Sequence, residues 1–121
     1  MGATFRPSEA WLSNWPWQQS TIVRLQAECA GGWKAGQAAQ DFMASLSYQS
    51  EDGVACEGGY CVRKLESDQP DMISLEFYSA GEDGFSSVLF GVEDFEAFAA
   101  GRSEVTGLVW HELEPRRSTI K

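Results

Sequence analysis

The sequence predicts an α+β domain, a mostly antiparallel sheet of about five to six strands with two main helices on one face. Three observations carry this. Apolar and polar residues alternate without a break from Val23 to Cys29, the period of a half-buried strand. Ala38, Phe42 and Leu46 recur every four residues, the period of an amphipathic helix. Short apolar runs in the second half are separated by reversals such as Glu57-Gly58-Gly59 and Gly81-Glu82-Asp83-Gly84, as in hairpins.

Each element follows in order. Ser8 suits the cap of a short helix over Glu9–Asn14 that puts Trp11 and Trp15 on one face, ended by Pro16. Residues 21–29 read as a strand. A helix capped by Ser20 and stopped at Gly31-Gly32 is the rival reading, and the alternation decides for the strand. Residues 35–47 form the first main helix, rich in Ala, Gln and Met. Ser50-Glu51-Asp52-Gly53 is a turn, and Val54–Cys56 and Tyr60–Leu65 are the arms of a hairpin. An acidic loop over 66–71 leads to a strand over Met72–Ala80, with Ile73, Leu75, Phe77 and Ser79 on one face. Phe85–Val92 is expected to return antiparallel to it. Glu93–Ala100 then makes a short helix, its first turn crowded with Glu93, Asp94 and Glu96, where the helix dipole favours acids. A last strand spans Val105–Leu113. Residues 1–115 thus form a single acidic domain, and 116–121 a basic tail expected to fray.

Charge is the strongest functional signal. The chain of 121 residues has a net charge of −9. Arg116, Arg117 and Lys121 lie at its end, so residues 1–115 carry all eighteen acids against six bases, a net of −12. Such a body repels nucleic acid and anionic membranes and attracts basic protein surfaces. Aromatic content of 12% argues against disorder. No run of about 18 apolar residues offers a membrane span, and the first residues lack the apolar stretch of a signal peptide. Met1-Gly2 is followed by Arg6 where a myristoylation site needs Ser or Thr. A cytoplasmic location is the expectation.

Catalytic motifs are absent from the sequence: no G-x-S-x-G, Walker A or G-x-G-x-x-G pattern occurs. Cys29, Cys56, Cys61 and the single His111 could in principle form a zinc shell or a thiol site. With an odd cysteine count, half-buried reduced thiols are the plainer expectation. A disulfide between Cys56 and Cys61 across the hairpin is the alternative. Gly31-Gly32-Trp33-Lys34 is a faint phosphate cradle. Trp11, Trp15, Trp17 and Trp33 could form a partner platform, but an N-terminal segment that folds back to plug the core is the simpler reading. No cofactor is expected.

The acids in turns remain: Glu51 and Asp52, then Glu57, then Glu66, Asp68 and Asp71, then Glu82 and Asp83. If turns converge, Asp52, Glu57, Glu66, Asp68, Asp71, Glu82 and Asp83 form one partner-binding lobe. The alternative is an evenly solvated surface.

Residues 87–101, SVLFGVEDFEAFAAG, resemble the end of a small actinobacterial domain of unknown function that partners helix-turn-helix regulators in an antitoxin-like way. Asp94, Phe95, Phe98 and Gly101 fit its pattern of an apolar strand, an acid, an aromatic and a later Phe. Phe95 stands for the family's Trp, and its N-terminal Lys-Ser-Ser is missing. In size, acidity and layout the chain is also similar to bacterial immunity proteins and phage-encoded inhibitors. These resemblances imply a non-enzymatic inhibitor that mimics nucleic acid and blocks a basic toxin, nuclease or defence complex. A regulatory subunit docking through the apolar 85–101 segment, a homodimer, and a small zinc or thiol enzyme are the other readings.

Overall fold

The computed structural model describes residues 8, 9, 11, 21–66, 72–80, 84–114, 116 and 117. In chain order these form β1 (Thr21–Ala30), α1 (Trp33–Ala44), β2 (Tyr48–Gln49), β3 (Val54–Glu57), β4 (Tyr60–Leu65), β5 (Met72–Ala80), α2 (Gly84–Ala100), β6 (Gly107–Glu112) and β7 (Arg116–Arg117). The strands make one antiparallel sheet in the order β2-β3-β4-β5-β1-β6, with β7 also on β1. The α+β class and the antiparallel sheet with two helices are as the sequence indicates.

Alternation in β1 does what its period requires. Val23, Leu25, Ala27 and Cys29 are buried, while Arg24, Gln26 and Glu28 face the other side. Ala27 sits opposite Leu75 and Leu25 opposite Phe77 on β5, so one face of the sheet is continuous and apolar. Both helices lie on this face. Phe42 of α1 is the hub: its ring meets Phe77 of β5 and Phe95 and Phe98 of α2, at centroid distances of 4.9–6.2 Å. Trp110 of β6 closes the cluster against Phe77 and Phe95. The helix expected over 35–47 starts two residues earlier and stops at Ala44. There the Ser45 hydroxyl donates to the Phe42 carbonyl at 2.6 Å and turns the chain toward β2.

Residues 85–92 are not a strand. They belong to α2, one helix from Gly84 to Ala100, so the expected hairpin with β5 is corrected. The physical reason is packing. Gly84, Val88, Gly91, Val92 and Phe95 are the buried positions, a three-and-four spacing that only a helix puts on one side. Gly91 lets the helix approach: a Cβ there would stand 2.9 Å from the rings of both Phe77 and Tyr60. The apolar run Val88-Leu89-Phe90 fits either period, and length decides such runs. The segment 87–101 that resembles a strand followed by a helix is therefore helical through Ala100.

Two further expectations are corrected. Cys56 and Cys61 are disulfide-bonded, not free thiols. They face each other directly across the β3–β4 hairpin, with Cα atoms 4.1 Å apart, because Gly58 and Gly59 at φ 55° and 98° complete a two-residue turn. Arg116 and Arg117, expected in a fraying tail, pair with Ile22 and Thr21 of β1. At the other terminus Ser8 does cap, its hydroxyl accepting the Trp11 N–H at 3.1 Å. Trp11 is buried edge-on against Phe85 and donates its indole N–H to the Leu113 carbonyl, as the plug reading requires. Trp15 and Trp17 lie outside the described residues.

Candidate functional site

The second face of the sheet carries no helix among the described residues, and its centre is ionic. Glu76 on β5 is completely buried there. The Arg24 guanidinium on β1 donates to it at 2.6 Å, and Arg63 on β4 donates to its other oxygen. The register explains the triad: Arg63 is directly opposite Glu76, and Arg24 lies one strand over, diagonally displaced by two residues. Burial pushes the Glu76 carboxyl up, but hydrogen bonds from Arg24 and Arg63 outweigh it, so its pKa stays below the ordinary value. Arg102, after α2, is spent in the same way. It binds Asp41 of α1 at 2.7 Å and Glu104 at 3.3 Å, and its hydrogen bond lowers the Asp41 pKa. His111 lies 3.2 Å from Glu28.

All three arginines with described side chains are thus committed to internal acids. By contrast Glu51, Asp52, Glu66 and Glu93 have no cationic partner among the described residues, and all four are exposed. Among the described residues, Glu57 and Asp94 are held by neutral groups. Glu57 accepts the Ser47 hydroxyl and N–H at 2.6 and 2.7 Å, which lowers its pKa. Asp94 accepts the Tyr60 hydroxyl at 2.9 Å. Burial, then that bond and the charges of Asp94 and Glu57, push the Tyr60 phenol up.

The strand directions sort the sequence-derived acids. Asp52 in the β2–β3 turn and Glu66 at the end of β4 emerge at one end of the sheet, on neighbouring strands. Glu57 lies at the opposite end, beside the β3–β4 turn. The described three are therefore not one lobe. Asp68, Asp71, Glu82 and Asp83 lie outside the described residues. Sequence reasoning passed over Glu93 and Asp94 as surface groups because a helix beginning at Glu93 would explain them through its dipole. It also missed the Arg24–Glu76–Arg63 triad, whose only signal is three charged residues at alternating strand positions.

The thiol and zinc groupings do not assemble. Cys29 is buried in the core, and burial raises its thiol pKa to about 12, so it stays protonated. Cys56 and Cys61 are bonded to each other, three and two strands away from β1. Among the described residues no group of three His, Cys, Asp or Glu could hold a metal ion. At Gly31-Gly32-Trp33-Lys34 there is an open cleft of about 370 Å³ lined by Trp33, Lys34, Gln37, Ser103 and Glu104, with Trp33 77% exposed. Among the described residues no helix is long and apolar enough to cross a membrane. No protein family, curated protein or solved structure matches the chain.

Proposed function

We propose that this is a non-enzymatic binding protein, of the inhibitor, immunity or antitoxin kind, that uses its acidic surface to block a basic partner that normally binds nucleic acid. One observation carries the reading. Arg24, Arg63 and Arg102 are taken up by Glu76, Asp41 and Glu104, while Glu51, Asp52, Glu66 and Glu93 stand in solvent with no cationic partner among the described residues. The arginines pair with one buried acid, Glu76, and two partly exposed ones, Asp41 and Glu104, and the exposed acids left over make an outward negative field. Such a field raises association rates with cationic surfaces and competes with phosphates for them. The state of the cysteines fits a binding role, since a protonated buried thiol and a disulfide are both poor nucleophiles.

The test is affinity capture from lysate of the source cells at low and high salt, with the captured protein then assayed for nucleic-acid binding. A basic protein retained at low salt, released as salt screens the charges, and unable to hold nucleic acid while bound supports the proposal. Recovery of no basic partner at low salt, or capture indifferent to salt, contradicts it.

A further inference from the structure

We propose that the outward face of α2 is the docking surface for that basic partner, with Phe90 as its apolar anchor and Glu93, Asp94 and Glu57 as its acidic rim. The proposal rests on the binding reading above and adds where contact occurs and what the partner must present, namely a cationic surface with an apolar recess for one phenyl ring.

Phe90 is the first reason. It is 59% exposed, whereas Phe42, Phe77 and Phe95 are at most 3% exposed and Phe85 and Phe98 are partly buried. Trp33 and Tyr48 are also exposed, but Phe90 is the one of these rings that stands on α2 beside acids, and an aromatic ring left in water is the kind of residue that dominates an interface once desolvated. The second reason is the acids beside it. Glu93 and Asp94 stand three and four positions after Phe90, so the three side chains share one patch. Asp94 accepts the Tyr60 hydroxyl and Glu57 is directly opposite Tyr60 across the β3–β4 hairpin, which places Glu57 at the border of that patch. Helix formation does not account for these acids: with the helix starting at Gly84 they lie more than two turns beyond the positive N-terminus. The helix contains no Lys or Arg of its own, and Arg24, Arg63 and Arg102 are tied elsewhere. Charge complementarity therefore calls for a basic occupant. It disfavours a second copy of this chain, which would set Glu93 and Asp94 against themselves.

The test uses two probes on the whole chain: a synthetic peptide of alternating Leu and Lys, and poly-lysine, which lacks the apolar groups. Backbone amide shifts are expected to change over 86–97 and at Glu57. Phe90→Ala should weaken the Leu/Lys peptide at least about tenfold and leave poly-lysine nearly unaffected. Glu93→Gln with Asp94→Asn, which keeps an acceptor for Tyr60, should weaken both and flatten the dependence on salt. Far-UV circular dichroism checks that each variant is folded. Shifts centred on Glu51, Asp52 and Glu66, with Phe90→Ala binding as wild type, would overturn the helix face while leaving the acidic binding role standing. No binding of either probe at low salt would overturn both. Concentration-dependent self-association abolished by Phe90→Ala would give the face to a second copy and overturn the proposal.

Discussion

Glu76 and Glu93 are the same residue in opposite circumstances. Glu76 is buried on the face of the sheet away from α1 and α2, between two guanidinium groups. Glu93 is exposed on α2 with no cation near it among the described residues. The first ties three strands, β1, β4 and β5, through one side chain. The second ties nothing. Acids in this molecule therefore stand in two separate settings, and only the first holds elements of the fold together.

The largest expected effect is at the triad. Glu76→Gln removes the negative charge that Arg24 and Arg63 share and leaves them one acceptor oxygen, and should cost about 2–4 kcal/mol, toward the low side for a broken buried pair because both arginines are partly solvated. Urea denaturation at neutral pH measures it; a loss under about 1 kcal/mol would mean the triad is incidental. The same group sets a pH dependence. Its folded pKa is depressed below the ordinary 4.5, so its contribution is complete above the unfolded value and disappears as pH falls through the folded one. Wild type should lose stability as the pH is lowered below about 4.5, and Glu76→Gln should lose less over the same interval.

Next in size is the disulfide, on the same face of the sheet as the triad. Replacing Cys56 and Cys61 together by Ala releases a very short loop, and loop-closure entropy sets the loss at about 2 kcal/mol. A thermal melt with and without reductant reports it, and a melt insensitive to reductant would contradict the bonded pair. The smallest effect is the most telling one for the comparison. Glu93→Gln should leave stability within about 0.5 kcal/mol of wild type, because it removes no contact and relieves some self-repulsion. A clear destabilisation would show that α2's acids hold the fold after all.

The sequence was readable where one period ruled. β1 and β5 follow from alternation, and β5 was bounded correctly at Met72 and Ala80. The hairpin of β3 and β4 follows from Gly58-Gly59. α2 was only half legible, because Val88-Leu89-Phe90 satisfies both periods and the deciding contact, Gly91 against Phe77 and Tyr60, joins residues far apart in sequence. That misreading propagated into function. A helix begun at Glu93 explains its acids through the dipole, whereas a helix begun at Gly84 does not, and Phe90 changes from a strand residue to an exposed anchor. The spent arginines were invisible for a similar reason. Composition counts charges, but only register shows that Arg24 and Arg63 meet on Glu76.

The most direct test of the central claim, that the uncountered acids exist for a partner, is calorimetric titration of the captured basic protein into wild type and into the Glu93→Gln, Asp94→Asn double variant at low salt. Affinity should fall at least about tenfold in the variant, with its melting temperature unchanged. Equal affinity, or a loss explained by a lowered melting temperature, would contradict the account.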